Sequence, residues 1–440
     1  VASRGLGDVY KRQVVEVALI RPGPIQGGSV HPYLRRRDGR EPVTYDHPVL
    51  ERSLGKTLGI PLFQEQLMQI AVDAAGFTGA EADSLRRAMG SKRSPAKMAA
   101  LKARFFSGCW ATNSIEQDVA ESLWQKIVAF AAYGFPESHS QSFASLVYFS
   151  AWFKHYYPAE FCVGLLRAQP MGFYSPQSLI QDARRHGITV LPVDVNESGV
   201  EARCIDSGTI RVGLNLIKGL GGKAAERIEA AQAVRPFTDI PDLSRRADLT
   251  VEHVEALARA GALGCFGVDR RQALWQSGVA ATEREGMLPG LSAISAPALP
   301  GMNSFELMAA DIAATGVTPG LMPVEMVRAH LDSLNIVPAN GLMRVPDGTR
   351  IRIAGVVTHR QRPTTAAGVT FLGMEDETGL MNVVIPTGLW KRQKLLARTA
   401  KALIVRGIVE NASGAASILA DKLEPLDMGE WLSRGSRDFR

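Results

Sequence analysis

Cysteine pairs and long apolar runs are both missing from this sequence of 440 residues. The four cysteines lie far apart and form no C-x-x-C pair, which argues against a disulfide framework and a zinc site. No apolar run approaches the ~18 residues that a membrane helix needs. The N-terminus lacks the apolar stretch of a signal peptide. Isolated thiols and the lack of a membrane segment predict a cytoplasmic protein. The cysteines are Cys109, Cys162, Cys204 and Cys265.

Neither sign of charge dominates the composition. Lys and Arg number 50 against 44 Asp and Glu, which gives a net charge of +6 and a pI near 9.2. This balance permits an anionic partner without requiring one. Hydrophobic residues at 46% and charged residues at 21% exclude wholesale disorder. At roughly 150 residues per domain, the length predicts about three domains. The chain lacks an initiator Met, so we expect it to be a fragment.

Apolar residues at helical spacing predict a largely helical first half. One stripe falls at positions i, i+4, i+7, i+8 and i+11, the apolar face of a single helix. Thr78 and Glu81 have the spacing of a capping box, which predicts that a second helix begins there and ends at Gly90. The stripe consists of Phe63, Leu67, Ile70, Ala71 and Ala74.

Strand-like patterns dominate the end of the chain. Five runs of β-type residues follow position 350, and a helical segment near 389–396 separates the third from the fourth. Five strands with a helix in that place predict a barrel of the OB type. The predicted fold class is therefore multidomain and mainly α, with a helical first region, a helix-hairpin-helix region and a C-terminal β-barrel.

A basic segment covers the end of the second predicted helix and its exit. Arg86 and Arg87 project from neighbouring faces, while Leu85 and Met89 anchor the helix in a core. Planar guanidinium groups bind phosphate oxygens in bidentate fashion, so this pair is a candidate grip for a triphosphate. A solvated basic face is the alternative, and a run of this kind taken alone favours it.

A second cluster lies between two predicted helices, at 133–140. Its aromatic, glycine and hydroxyl residues, with Tyr133 and His139 among the cluster, are suited to contact with a nucleotide sugar or base. Ser138 and Ser140 flank His139, but no G-x-S-x-G elbow accompanies them and nucleophilic catalysis is not indicated. A plain helix N-cap is the alternative for this cluster.

The segment 217–225 predicts a helix-hairpin-helix. Gly219 and Gly221 would let backbone N–H groups approach a DNA phosphate at a helix N-terminus, with Lys218 and Lys223 beside them. A simple corner between two helices is the alternative. A degenerate second hairpin is indicated at 250–263.

The barrel is a candidate for binding single-stranded nucleic acid through a basic groove. Arg352 and Arg360 are the candidate contacts, and further charge comes from Arg350, His359 and Arg362. Phe371 is the only aromatic residue in these strands, so base stacking would be weak. A barrel that serves packing or protein docking remains an equal alternative.

Several of these motifs together resemble the C-family bacterial DNA polymerases, the family of the DNA polymerase III alpha subunit. The resemblance covers roughly 14–440 and includes the helix-hairpin-helix and the barrel. Its specific motifs stand in the order expected for the family. They are Ala18 to Gly28, Pro61 to Gln66, Leu85 to Met89, Tyr133 to Ser140 and Tyr157 to Phe161.

Within that family the sequence most resembles the error-prone, damage-induced branch. The features that carry this are the stretch His31 to Arg37, the Phe135 to Ser138 form and the ending Ser436 to Arg440. Replicative members usually have Asn-Lys where Pro136 and Glu137 stand. No convincing clamp-binding peptide is visible in 276–325 or in the tail.

The resemblance implies the C-terminal part of an error-prone DNA-directed DNA polymerase that acts in translesion synthesis. Its partners would be primer-template DNA, dNTPs and accessory translesion proteins, with no membrane. The Mg²⁺ of the full-length enzyme would be held by palm aspartates that precede this region, so we expect no metal ligands here and no activity of the fragment alone. The alternatives are a fragment of a replicative alpha subunit and a non-catalytic helix-hairpin-helix and OB module.

The resemblance also suggests a division of the chain. Residues 3–13 depart from the family and look like a translated sequencing adapter. The predicted parts are a non-native leader at 1–13, polymerase fingers at 14–187, a hairpin plus helix-hairpin-helix region at 188–265, a linker with short helices at 266–345, an OB domain at 346–427 and a tail at 428–440.

Overall fold

The computed structural model describes most of the chain as two compact units, Val1–Trp152 and Phe153–Arg440. Each unit has hydrophobic cores of its own. None of the helices in these described parts is long and apolar enough to cross a membrane. The described residues are 6–19, 30–89, 95–131, 135–172, 174–283, 296–363, 366, 368–412, 415–426 and 437–439.

The first unit is built from helices. Its last helix, α8, continues four residues beyond the boundary at Trp152. Two short 3₁₀ turns, Pro48–Leu50 and Gly55–Thr57, flank α3. The helices are α1 (Leu6–Leu19), α2 (Val30–Arg37), α3 (Glu51–Leu54), α4 (Gln64–Ala75), α5 (Gly79–Met89), α6 (Pro95–Asn113), α7 (Gln117–Ala131) and α8 (Glu137–Tyr156).

The apolar stripe predicted for α4 is buried, which confirms that prediction. Leu67 and Ile70 belong to a core that also contains Phe105 of α6 and Ile127 of α7. Phe77 and Phe105 of this core meet edge to face, with ring centres 6.1 Å apart. All five stripe residues, from Phe63 to Ala74, are at most 3% exposed.

The capping box at the start of α5 is also confirmed. The amide of Glu81 donates to the hydroxyl of Thr78 at 3.3 Å, and the amide of Thr78 donates to the Glu81 carboxylate at 2.8 Å. These reciprocal bonds satisfy amides at the start of the helix that have no carbonyl partner within it. The predicted end of the helix at Gly90 lies outside the described residues.

The second unit begins with two helices packed on a small sheet. This sheet has the order β1-β3-β2, with β1 and β3 parallel and β2 and β3 antiparallel. The hairpin predicted within 188–265 corresponds to β2 and β3. The elements are α9 (Pro158–Arg167), α10 (Pro176–Arg185), β1 (Thr189–Leu191), β2 (Arg203–Asp206) and β3 (Thr209–Arg211).

Helices follow the sheet and share its core. Ile228 of α11 and Leu257 of α13 are fully buried in the same cluster as Ile210 of β3. This continuity makes the sheet and the helical hairpins a single packed body. The helices are α11 (Gly222–Val234), α12 (Ile240–Arg246), α13 (Val251–Ala260), α14 (Arg270–Ala280), α15 (Ser304–Ala314), α16 (Pro323–Met326) and α17 (Arg328–Ser333).

The last part of the second unit is a closed barrel. Its strands are hydrogen-bonded in the order β5-β6-β8-β7-β4, and β5 pairs back with β4. Only β6 and β8 are parallel among these pairs. A further strand, β9, adds to β4 in parallel. The elements are β4 (Arg350–Gln361), β5 (Thr370–Glu375), β6 (Leu380–Ile385), α18 (Thr387–Arg392), α19 (Lys394–Thr399), β7 (Ala402–Ala412), β8 (Ala415–Pro425) and β9 (Arg437–Phe439).

This architecture confirms the predicted fold class. The five predicted strands form the barrel, and α18 and α19 lie between the third and fourth of them. Apolar side chains fill the interior, among them Ile353, Leu372, Met374, Val383 and Val405. The barrel and the helical regions before it match an α-rich chain with a C-terminal OB-type barrel.

A buried carboxylate joins the barrel to α10. Glu375, at the end of β5, is 2% exposed. It accepts hydrogen bonds from the Ser178 hydroxyl at 2.8 Å and from the Arg185 guanidinium at 3.0 Å. Burial raises the pKa of the Glu375 carboxyl, and the positive charge of Arg185 opposes that rise. The barrel is therefore held to the helical part of its unit by an ion pair whose carboxylate is fully buried and whose guanidinium is 18% exposed.

Candidate nucleotide and nucleic-acid interfaces

The structure brings the two candidate arginines of α5 together. One face of this helix is anchored, since Ala82, Leu85 and Ala88 are buried. Arg86 and Arg87 leave from the other side, with side chains that are 43% and 75% exposed. The helix thus presents two guanidinium groups on a fixed base.

Both guanidinium groups converge on one carboxylate, that of Asp83. Arg86 donates to Asp83 Oδ1 at 2.8 and 3.0 Å, and Arg87 lies 2.7 Å from Asp83 Oδ2. The hydrogen bond from Arg86, followed by the charges of both arginines, lowers the pKa of the Asp83 carboxyl. A phosphate could bind both guanidinium groups fully only by displacing Asp83.

The second predicted cluster is only partly described. Tyr133 lies outside the described residues. His139 is exposed in the first turn of α8 and lies between two aromatic rings. Its ring centre is 5.1 Å from that of Phe135 and 4.7 Å from that of Phe143, both edge to face. The imidazole is therefore held between Phe135, which precedes α8, and Phe143 within α8, and it is exposed to solvent.

The glycine turn of the hairpin has the backbone that its sequence predicts. Gly219 has φ +87° and Gly221 has φ +75°, a region that L side chains rarely adopt. Gly221 is the N-cap of α11, and an added Cβ there would meet no atom within 4 Å. The first amides of a helix have no carbonyl acceptor within it, so the exposed N-terminus of α11 offers donors to an anion.

The two lysines of the turn differ in their surroundings: Lys223 faces solvent, whereas Lys218 is bonded to the end of a helix. Lys223 is exposed in the first turn of α11. Lys218 donates its ammonium to the carbonyl of Ala313 at 2.6 Å and lies 3.4 Å from that of Ile312. Lys218 thus caps the C-terminus of α15, where a cation is favoured. Its place as a DNA contact stays a prediction.

The barrel arginines are engaged with the protein itself. Arg352 donates to Glu424 at 3.1 Å on the outer surface of β4 and β8. Both side chains are about one third exposed, so the pair is solvated and exchangeable. Arg352 can reach a phosphate only by leaving Glu424.

Arg360 is predicted as a DNA contact on the binding surface, and that role stays a prediction, but its side chain is buried at 7% exposure. Its guanidinium donates to the carbonyl of Ala397 at 2.9 Å and to that of Ala400, at the end of α19. The cause is a register shift between Val357 and His359, which places Arg360 on the inner side of the strand. In this position the guanidinium is a structural cap.

Two barrel contacts escaped the sequence reasoning. The guanidinium of Arg362 lies 4.8 Å from the centre of the Trp390 ring, and the His359 ring covers the Cα of Gly373. The pairing of His359 with Gly373 across β4 and β5 explains that glycine, because a Cβ would overlap the imidazole. The contact of His359 with Gly373 depends on the strand register, and that of Arg362 with Trp390 depends on the position of α18 beside the end of β4.

A Mg²⁺ site does not fit the described residues. No group of three or more His, Cys, Asp or Glu side chains that could hold a metal occurs among them. Asp83, the carboxylate nearest to the candidate nucleotide grip, is bound to two arginines. We therefore derive no catalytic step through a metal on this chain.

Comparison with known families assigns three segments of the chain. Residues 10–113 match the bacterial DNA polymerase III alpha subunit finger domain. Residues 187–273 match a helix-hairpin-helix motif, and residues 351–426 match the OB-fold nucleic acid binding domain. The three matches agree with the helical first unit, the glycine turn and the closed barrel.

Curated relatives match nearly the whole chain. The error-prone DNA polymerase of Corynebacterium glutamicum is 74% identical over 97% of this chain and 40% of its own length. That of Corynebacterium diphtheriae is 64% identical over 97% of this chain and 40% of its own. That of Mycobacterium tuberculosis is 56% identical over 98% of this chain and 39% of its own length.

Among solved structures, asparaginyl-tRNA synthetase from Pyrococcus horikoshii matches 20% of this chain and 22% of its own at 26% identity, with a TM-score of 0.18. That score is too low to bear on the fold. The chain spans about 40% of the length of the error-prone polymerases of Corynebacterium that it matches. The finger, hairpin and barrel matches and these identities lead to one conclusion: the chain belongs to the C-family bacterial DNA polymerases, the family of the DNA polymerase III alpha subunit, and it is similar to members that are named error-prone DNA polymerase.

Proposed function

We propose that this chain supplies incoming-nucleotide and DNA binding to an error-prone DNA-directed DNA polymerase that acts in translesion synthesis. The observation that carries the proposal is the arginine pair of α5. Arg86 and Arg87 share one exposed carboxylate on an anchored helix, within the segment that matches the polymerase finger domain. The partners would be primer-template DNA, dNTPs and accessory translesion proteins in the cytoplasm.

In this proposal the triphosphate replaces Asp83 as the acceptor for both arginines. Guanidinium forks match phosphate oxygens and lower the energy of the charge that develops during phosphoryl transfer. His139, exposed beside Phe135 and Phe143, would border the same nucleotide. The divalent metal of the full-length enzyme would be held by carboxylates outside the described residues.

The test is dNTP incorporation by the full-length enzyme. We expect the Arg86→Ala, Arg87→Ala double variant to lose roughly 10²-fold in incorporation, as when a charge-stabilising donor is removed. Arg→Lys at either site should restore only part of the rate, because an ammonium cannot reproduce the fork. Arg52→Ala is the matched control, because the Arg52 side chain is 81% exposed and its one ion-pair contact, with Asp73, is long at 3.9 Å. Near-normal kinetics of the double variant would refute the nucleotide-binding proposal.

The shared carboxylate gives a second, opposite test. Asp83→Asn removes the charge that competes with the triphosphate, so the KM for dNTP should fall while Arg86 and Arg87 remain. DNA affinity without nucleotide should stay unchanged in this variant. A KM that rises or stays constant would mean that the arginines are committed to Asp83 and do not bind the nucleotide.

A further inference from the structure

A cavity of about 470 Å³ opens in the second unit between α13, α14 and α15. Its volume lies in the range of roughly 300 to 1,000 Å³ that is typical of ligand sites. Alanines from two helices, Ala256 of α13 and Ala310, Ala313 and Ala314 of α15, form much of the wall. Their small side chains leave room for a large one from elsewhere.

The polar part of the lining is entirely cationic. It consists of one lysine and three arginines, which donate hydrogen bonds and accept none. A ligand that fits must therefore bring acceptors, and an anionic acceptor fits best. The four residues are Lys218, Arg259, Arg270 and Arg271.

Two of these cations are fixed and set the shape of the cavity. Arg270 forms an ion pair with Asp311 and lies over the Cα of Gly261, where a Cβ would meet its guanidinium at 2.6 Å. Arg271 donates to Glu306 at 3.1 Å and to the carbonyl of Pro300 at 2.6 Å. These contacts hold the wall in place without an occupant.

The other two cations can accept a new partner. Arg259 is 57% exposed and pairs with Glu255 of its own helix at 2.7 Å, and exposed pairs of this kind are weak. Lys218 is exposed, and its ammonium faces the C-terminal carbonyls of α15. Because an ammonium has three donors, a ligand carboxylate could add to those carbonyls.

The composition of the lining discriminates between ligand classes. Its ten residues include no aromatic ring and no amide or hydroxyl side chain. Stacking and base-edge hydrogen bonds are what a protein uses to bind a nucleobase, so a nucleotide is disfavoured. Exposed apolar side chains continue from Leu274 of the lining, which is 39% exposed, to Leu307, which is 41% exposed, and this suits a ligand longer than a small molecule.

We propose that this cavity binds an acidic peptide segment of a partner protein, which inserts one large apolar side chain against the alanines and places an adjacent carboxylate on Arg259 and Lys218. The inference goes beyond the proposed polymerase function. It names a protein contact on the side of the hairpin region where Lys218 meets α15. Burial of the apolar side chain would supply most of the affinity, and the cations would select the acidic flank.

The experiment uses a random library of 12-residue peptides displayed on phage and selected against the 440-residue chain. Peptides that also bind the Ala313→Leu variant are removed, because leucine at this exposed position of α15 fills the cavity mouth. We expect the enriched peptides to share a large apolar residue next to Asp or Glu. Enrichment of basic peptides, or none beyond the Ala313→Leu background, would refute the inference.

The affinity of an enriched, labelled peptide is then measured by fluorescence anisotropy. Ala313→Leu and Arg259→Glu should each weaken binding by about tenfold or more, because the leucine occupies the space of the inserted side chain and a glutamate at position 259 repels the carboxylate of the peptide. Ala230→Leu, at an exposed position of α11, and Arg398→Glu, exposed on α19, are the matched controls and should bind as the wild type does. Equal affinity for all five proteins would contradict the inference.

Two further arms separate this site from other ligands and from the proposed function. The nucleotide dATP is used as a competitor, and displacement of the peptide by dATP at comparable concentration would point to a nucleotide site instead. Ala313→Leu should retain the DNA affinity of the wild type. A loss of DNA affinity with unchanged peptide affinity would assign the surface to DNA and overturn the inference.

Discussion

The hairpin and the barrel are both candidate nucleic-acid surfaces, but they use different parts of the chain. The hairpin presents backbone at Gly219 and Gly221, with positive φ and an open N-terminus of α11. The barrel would have to use side chains, and Arg352 and Arg360 are already bonded to Glu424 and to carbonyls of α19. An amide at a helix end is fixed in direction, whereas a basic side chain serves whichever acceptor is nearer.

This difference predicts that the hairpin dominates DNA binding by the chain. Replacing Gly219 and Gly221 together by valine should weaken DNA affinity by about thirtyfold, equivalent to about 2 kcal/mol. Valine disfavours positive φ and blocks the approach of a phosphate to the amides of α11. Affinity is measured by fluorescence anisotropy with duplex DNA across a salt series, and the wild-type affinity should fall steeply as salt rises.

A glycine of ordinary backbone provides the control for that variant. Gly278 is exposed in α14, and a Cβ there would meet no atom within 4 Å. Gly278→Val should leave DNA affinity unchanged. Salt-insensitive binding, or equal affinity of the double variant and the wild type, would mean that the hairpin is a plain corner between helices.

Arg360 tests the barrel half of the comparison between the hairpin and the barrel. Arg360→Ala should lower the free energy of unfolding by about 1 to 2 kcal/mol, because the carbonyls of Ala397 and Ala400 lose their donor in a buried site. The folded variant should bind DNA as the wild type does. Denaturant unfolding and anisotropy on the same protein check both statements, and a normal stability with weakened DNA binding would return Arg360 to the binding surface.

Arg352 should show the smallest effect. Its pair with Glu424 is exposed, so Arg352→Ala should change the free energy of unfolding by less than about 1 kcal/mol. If the barrel contacts a phosphate through Arg352, the magnitude of the slope of log K for DNA binding against log salt concentration should be smaller by about one in Arg352→Ala than in the wild type. An unchanged slope would mean that Arg352 makes no phosphate contact. It would favour the hairpin as the DNA-binding surface and the barrel as a protein-docking domain.

The sequence was most informative where a residue type constrains the backbone directly. The capping residues Thr78 and Glu81 and the glycines of the hairpin have the predicted geometry, because each depends on local φ, ψ and hydrogen bonding alone. The convergence of Arg86 and Arg87 on Asp83 also follows from helical spacing, since residues three and four apart share a face.

Long-range register limited prediction in the barrel. The bulge between Val357 and His359 reverses which side of β4 each later residue faces, and no local pattern marks it. The three residues of β9 also escaped, because so short a strand has no periodicity of its own. The contact of Arg362 with Trp390 depends on both the strand and α18, which lie far apart in sequence.

The buried contact of Glu375 with Ser178 and Arg185 bears on how such a protein can be recombined in evolution. A barrel exchanged as a unit from 346 onward would take Glu375 away from both partners and leave the largely buried guanidinium of Arg185 with only the more distant Asp182 carboxylate, at 3.9 Å, as a counter-ion. Breaking a buried ion pair costs at most about 3 to 5 kcal/mol. The heritable unit is therefore larger than the barrel, and a successful exchange would have to carry α10 and β5 together.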